Sequence, residues 1–115
     1  MADFDVCVIG GGPAGYAACM RLWDFGRKVA IVERGRIGGA GVFNGALSSK
    51  TLWELSRDYR KARRRDRGYH AEQVHVHFEA VAQVVEQATG AKSHQMRRQL
   101  EQLSEPRPGC PGSLT

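Results

Sequence analysis

The sequence has few cysteines, no long apolar run and no secretory start. Its 115 residues include three cysteines, Cys7, Cys19 and Cys110, whose odd number and wide spacing exclude a disulfide framework and a Cys-x-x-Cys motif. No apolar stretch approaches the roughly 20 residues that a membrane helix needs, and the first residues lack the basic start of a signal peptide. We therefore expect reduced thiols, a cytoplasmic location and no membrane partner.

The length and composition are those of one small domain, or of part of one. Hydrophobic residues make up 42% of the chain and charged residues 25%, while 14 glycines predict several unusual backbone positions. The net charge of +5 is concentrated between Lys50 and Arg67, so it is a weak argument for nucleic-acid binding. Disorder throughout and a collagen-like chain are both excluded.

The first third of the chain predicts a right-handed βαβ unit. Phe4 to Ile9 ends in four apolar residues, the pattern of a strand buried on both faces of a parallel sheet. Pro13 to Phe25 has helical spacing, with Gly26 as its terminator, and Lys28 to Glu33 is again apolar and β-branched. Strand, helix and strand in this order form a crossover connection.

The segment from residue 10 to 15 fits Gly-x-Gly-x-x-Gly and lies between the first strand and the helix. Gly10 would make the tight turn, Gly12 would let a pyrophosphate approach the backbone, and Gly15 would let the helix pack closely on the strand. The diphosphate would then meet free N–H groups at the helix start. Glu33 ends the second strand, where a carboxylate can accept both ribose hydroxyls. The alternative is a glycine-rich turn with an incidental acid.

A second glycine-rich stretch, Gly35 to Gly45, precedes another helical pattern that starts near Ser49, with Ser48 or Ser49 as its cap. Its apolar positions, three or four residues apart, are Leu52, Leu55, Tyr59 and Ala62. From Phe4 to about Tyr59 the chain resembles the amino terminus of the pyridine nucleotide-disulfide oxidoreductases, a family of FAD flavoproteins. The resemblance implies an α/β fold: a Rossmann-like βαβ FAD/NAD(P)-binding unit followed by long helices, with an incomplete sheet.

The signature of that family is two glycines, a cysteine pair separated by four residues, and Pro-Ser-Lys at the start of a helix. The residues that match it are Gly38, Gly39, Gly45, Ser49 and Lys50. Gly41 and Ala46 stand at the two cysteine positions, and Ser48 stands at the proline. A dithiol relay needs both sulfur atoms, so the resemblance implies FAD at this site but withholds disulfide reduction.

The resemblance also implies the roles of individual residues. Lys50 would lie near the reactive nitrogen of the flavin, and Glu33 would lie at the ribose. The full set of candidate cofactor-binding residues is Gly10, Gly12, Pro13, Ala14, Gly15, Glu33, Arg34, Gly39, Ala40 and Lys50. No catalytic or metal-binding residue is predicted.

The implied activity is hydride transfer between NAD(P)H and FAD, with the nicotinamide nucleotide as co-substrate only if a further domain is supplied. Members of the family are homodimers, but the implied dimerisation domain is not recognisable in this sequence. Two alternatives stay open: a truncated, inactive remnant that keeps nucleotide affinity, and an NAD-binding Rossmann protein.

The second half of the chain carries weaker signals. The arginine-rich run from Arg57 to Arg67 is predicted to be a solvated helix face, and His75 and His77 to lie in a solvated loop rather than a metal site. Phe78 to Leu103 predicts one long helix or two, because Gly90 interrupts it. We expect a partial FAD-binding domain over residues 1–104 and a Pro/Gly-rich, disordered tail over residues 105–115.

Overall fold

The computed structural model describes residues 3–104 and has a mixed α/β fold that begins with a βαβ unit. Its elements in chain order are β1 (Val6–Ile9), α1 (Pro13–Asp24), β2 (Val29–Val32), α2 (Gly39–Phe43), α3 (Ala46–Ala62) and α4 (Phe78–Leu103). The predicted fold class is therefore confirmed. The expectations for the tail and for Cys110 lie outside the described residues.

The two strands form a parallel sheet whose ladder runs from the pair Val6 and Val29 to the pair Ile9 and Val32. Exposure alternates along β1, because one face of the sheet is covered and the other is open. On the open face Ile9 is 86% exposed and Val32 is 55% exposed. The prediction that β1 is buried on both faces is therefore wrong within the described residues, since no element there covers the second face.

Helix α1 covers the closed face of the sheet. It starts at Pro13, as the sequence predicts, and it ends just before Phe25. Gly26 then turns the chain with a φ of +69°, a conformation that glycine adopts without a steric penalty. Cys19 on α1 and Val29 on β2 are the two most fully buried side chains, both at 0% exposure, so the core is centred between this helix and β2.

The second helical region differs from its prediction at the start. Helix α3 begins at Ala46, and Gly45 precedes it without a side-chain cap. Ser48 and Ser49 lie inside the first turn, where the Ser48 hydroxyl donates to the Gly45 carbonyl oxygen at 3.1 Å. The prediction that one of these serines caps the helix is therefore wrong. The short helix α2 has no counterpart in the prediction, because five residues are too few to show a period.

Helix α4 is a single continuous helix. Gly90 lies within it, exposed to solvent, so the glycine does not interrupt the hydrogen-bonded ladder. The carboxyl half of α4 packs on α1 through Met96 and Leu100, which are both buried. Two side chains of α1 also reach α4: the Tyr16 hydroxyl donates to Gln99 Oε1 at 2.5 Å, and Trp23 Nε1 donates to the Leu103 carbonyl oxygen at 3.0 Å.

The amino half of α4 packs on α3, and this pair of helices is less well covered. Leu52 is 44% exposed and Phe78 is 76% exposed. The arginines of the run from Arg57 to Arg67 are all exposed, as predicted, and Asp66 forms an ion pair with Arg64. The prediction that the whole run lies on a helix is wrong, because α3 ends at Ala62. Among the helices of residues 3–104, none is long and apolar enough to cross a membrane.

A matched pair of valines in β2 tests this description of the core. We expect Val29→Ala to lower the free energy of unfolding by about 2 kcal/mol, because a fully buried side chain leaves a cavity. Val32→Ala, on the exposed side of the same strand, should change it by less than about 0.5 kcal/mol. Urea titration followed by circular dichroism measures both. Equal losses for the two variants would contradict the assignment of the covered face.

Candidate functional site

The loop between β1 and α1 makes a sharp turn at its first glycine. Gly10 has a φ of +101°, and its N–H donates to the Val32 carbonyl oxygen at 2.8 Å. The turn is therefore held to the end of β2. A non-glycine residue at position 10 would adopt this φ only with strain.

Gly15 and Gly12 differ in the space around them. A Cβ atom at Gly15 would lie 1.8 Å from the Gly10 carbonyl oxygen, so the close approach of α1 to the turn requires glycine there. A Cβ atom at Gly12 would have no atom within 4 Å. Helix α1 also has no side-chain cap, so its first N–H groups have no side-chain acceptor within the described chain. Open space beside Gly12 and uncapped N–H groups fit an anionic ligand.

Glu33 directly follows β2, and its side chain connects this position to Gly11 in the first loop and to Gly35 in the second. Its carboxylate accepts hydrogen bonds from the Gly11 N–H at 2.5 Å and from the Gly35 N–H at 2.8 Å. These two amides, that of Gly11 first, lower the pKa of the Glu33 carboxyl below its ordinary value. The group is therefore ionised near neutral pH, and each oxygen keeps a lone pair for a further donor.

The second glycine-rich stretch folds back onto the first. The Gly38 N–H donates to the Gly11 carbonyl oxygen at 2.8 Å. Gly39 has a φ of +54°, and a Cβ atom there would lie 3.0 Å from Gly12 Cα. The structure thus brings Gly39 next to Gly12, and Ala40 follows it at the start of α2.

The positions of the family's cysteine pair fall on two different helices. Gly41 lies on α2 against Pro13, where a Cβ atom would be 2.7 Å from the proline Cγ, and Ala46 is the first residue of α3. Of the cysteines in the described chain, Cys7 is exposed on β1 and Cys19 is buried in α1, where burial raises the pKa of its thiol. Neither residue belongs to α2 or α3.

Two candidate residues lie in exposed positions. Lys50 is the fifth residue of α3, and Arg34 follows Glu33 in the loop after β2. Within the described chain, no hydrogen bond or ion pair fixes the Lys50 ammonium group.

A pocket of about 510 Å³ opens beside Glu33, and α4 forms its other side. Its apolar lining residues are Ile31, Ile37 and Leu100, and its polar ones include Glu33, Arg97, Glu101 and Ser104. Arg97 and Glu101 of α4, and Ser104 directly after it, are not among the residues predicted from the sequence. No motif marks them, because helical packing alone brings them close to a loop more than 60 residues earlier in the sequence.

The two histidines at the start of α4 do not belong to this site. Both are exposed, and the ring of His75 is hydrogen-bonded to Gln73 Oε1 at 3.1 Å. Between residues 3 and 104, no three metal-ligating side chains are grouped closely enough to hold a metal ion.

A parallel strand pair, a glycine turn that opens a helix, and an acid after the second strand together define a dinucleotide-binding βαβ unit. Comparison with known protein families identifies the family. The family model of the pyridine nucleotide-disulphide oxidoreductases matches residues 4–105, and the chain belongs to that family.

Two relatives and one solved structure show the extent of the likeness. The chain is 35% identical over 101 residues to a dihydrolipoyl dehydrogenase of Bacillus subtilis (strain 168), which is 84% of this chain and 21% of the relative. It is 49% identical over 55 residues to a soluble pyridine nucleotide transhydrogenase of Mycobacterium bovis, which is 47% of this chain and 12% of the relative. The chain thus spans about a fifth, or less, of these relatives.

The solved structure is the Cu(II) complex of the HOCl-induced flavoprotein disulfide reductase RclA from Escherichia coli. It matches with a TM-score of 0.70 at 18% identity, over 99% of this chain and 21% of that one. This likeness supports the fold assignment.

The contrast between Gly12 and Gly15 gives a test of the loop geometry. Gly15→Ala should destabilise the fold, because its Cβ would overlap the Gly10 carbonyl oxygen. Gly12→Ala should leave the urea midpoint within about 0.3 M of the unchanged chain, since Gly12 has an ordinary φ of −73° and open space around it. Its Cβ should still weaken ADP binding at least about tenfold by occupying the space in which a diphosphate would lie. Equal stability of the two variants would contradict the geometry.

Proposed function

We propose that this chain is the FAD-binding portion of an NAD(P)H-dependent flavoprotein oxidoreductase, and that the described site holds the ADP half of FAD. One observation carries the proposal. An ionised carboxylate with free lone pairs, an uncapped helix start and open space beside Gly12 occur together at the carboxyl end of a parallel strand pair. This set of groups matches a ribose joined to a diphosphate.

The proposed roles follow the geometry of the two loops. The diphosphate lies against the backbone of residues 10–15, with Gly10 for the turn, Pro13 and Ala14 in the first helical turn and Gly15 for the close packing. Glu33 accepts the ribose hydroxyl hydrogens, and its charge disfavours a 2′-phosphate at that position; Arg34 lies beside it. Gly39 and Ala40 extend along the cofactor. In this proposal Lys50 is the residue nearest the flavin.

When bound, FAD supplies a two-electron acceptor for hydride from NAD(P)H. The residues of this chain bind and orient the cofactor. A positive charge at Lys50 would favour the anionic, reduced form of the flavin, as the resemblance to the family implies. The proposal assigns none of the described residues to the nicotinamide.

The acceptor is proposed to be other than an internal disulfide. Gly41 and Ala46 provide no sulfur, and Cys7 and Cys19 lie on β1 and α1. With FAD bound, the acceptor of its electrons would then be another nicotinamide nucleotide, a quinone, dioxygen or a small oxidant. The second candidate function, a remnant that binds nucleotide without turnover, is favoured by the open face of the two-stranded sheet.

Titration of the full chain with FAD, followed by flavin fluorescence, tests the binding proposal. We expect saturable binding, and Glu33→Ala should weaken it about ten- to a hundredfold, because hydrogen bonds to a charged group are lost. Glu72→Ala is the matched control, because it removes an exposed carboxylate that is distant in sequence from Glu33. This variant should bind FAD like the unchanged chain. Unchanged affinity of the Glu33 variant would move the site elsewhere, and absence of binding would overturn the proposal.

An activity assay tests the proposed acceptor. The flavin-loaded chain should reduce neither lipoamide nor glutathione disulfide with NADH or NADPH, whatever partner domains are added, because positions 41 and 46 carry no sulfur. The control is a variant in which all three cysteines are replaced by serine, and it should behave identically. Disulfide turnover that persists in this variant would contradict the assignment of positions 41 and 46.

A further inference from the structure

Ser93 makes a hydrogen bond unlike those of the other helical hydroxyl groups. Its Oγ donates to the carbonyl oxygen of Ile37 at 2.5 Å, across 56 positions of sequence. The other hydrogen-bonded serines and threonines of the described helices donate to carbonyl groups three or four residues earlier; they are Ser48, Thr51, Ser56 and Thr89. Ser93 therefore connects α4 to the second glycine loop.

The bond continues from that loop to the nucleotide site. The peptide unit between Ile37 and Gly38 accepts from Ser93 on one side, and its N–H donates to the Gly11 carbonyl oxygen at 2.8 Å on the other. The Gly11 N–H then donates to the Glu33 carboxylate at 2.5 Å. Hydrogen bonds through the Ile37–Gly38 peptide and through both peptide groups of Gly11 thus connect α4 to the proposed ribose contact.

The loop needs such an anchor because its own backbone is permissive. Gly38 has a φ of +115° and Gly39 a φ of +54°, conformations that glycine adopts but does not prefer over the alternatives. Ile37 is 9% exposed, and its Cδ1 lies 2.6 Å from the point that a Cβ atom on Gly11 would occupy. A displaced loop would therefore also move the turn that contains Gly11.

We propose that Ser93 is a positioning residue of the nucleotide site, which fixes the Ile37–Gly38 peptide and through it the Gly11 turn and the Glu33 carboxylate. This inference rests on the proposed function, since it concerns the same ligand. Ser93 itself touches no ligand atom; it acts through the loop.

Calorimetric titration of the full chain with ADP tests the proposal. Ser93→Ala should bind ADP about fivefold more weakly, the loss expected for one neutral hydrogen bond that sets the geometry. Ser93→Thr retains the hydroxyl group and should restore the affinity. Ser56→Ala removes an exposed hydroxyl group that bonds only within α3, and it should bind like the unchanged chain. Urea titration is run on each variant.

Hydrogen exchange of the Gly38 amide separates positioning from stability. In Ser93→Ala this amide should exchange faster, while that of Tyr16 in α1 should keep its protection relative to global unfolding. If Ser93→Ala does not fold, Ser93→Cys takes its place, because a thiol has similar volume and is a weaker donor; its affinity should lie below that of Ser93→Thr.

Four outcomes would overturn the inference. A lower urea midpoint with unchanged ADP affinity would make Ser93 a structural residue only. Equal affinity for Ser93→Thr and Ser93→Cys would have the same meaning where the alanine variant is unfolded. Failure of the unchanged chain to bind ADP would overturn both this inference and the proposed function, whereas binding that is insensitive to Ser93 would overturn this inference alone.

Discussion

The hydrogen bond between the Glu33 carboxylate and the Gly11 amide is the interaction on which the rest of the site depends. Glu33 directly follows the second strand, Gly11 lies in the turn after the first, and the same carboxylate also accepts a hydrogen bond from the Gly35 amide. The two strands are only four residues long, so the hydrogen bonds between them hold few residues in place outside the sheet. The carboxylate extends the connection beyond the sheet. The Glu33 side chain thus both stabilises the local structure and forms the proposed contact with the ligand.

The βαβ unit could be predicted from sequence because its signals are local. Apolar runs, Pro13 at a helix start and Gly26 after the helix end each act within a few residues. The start of α3 could not be found in this way, since Ser48 and Ser49 are ordinary cap residues that here lie within the first turn. Both faces of β1 were expected to be buried because the apolar run has no polar position, but burial depends on elements that pack over the strand.

The candidate site could likewise be predicted from the sequence only in part. The glycine spacing and the position of Glu33 could be read from the sequence, and the structure brings Gly12, Glu33 and Gly39 to the same end of the sheet. The hydrogen bonds that Glu33 makes to backbone amides could not be foreseen, because a motif specifies residue types and not their partners. The contribution of α4 was also hidden. Ser93 reaches the loop only because the buried apolar residues of α4 pack against α1, and such packing has no sequence signature at either end.

The distribution of these contacts bears on how the cofactor would be held. Groups suited to a ribose and a diphosphate all lie within the first 40 residues, and they are joined to one another by backbone hydrogen bonds. Toward the flavin, the chain offers the exposed Lys50, which no described interaction fixes. Affinity gained by this chain would therefore come from the ADP half, where the donors are already oriented and little ordering entropy remains to be lost on binding. Because the Glu33 carboxylate is both the proposed ribose contact and the acceptor for the Gly11 amide, ligand binding and folding are coupled. A ligand that binds only the folded chain stabilises it by RT ln(1 + [L]/Kd), and this stabilisation continues to rise after the site is saturated.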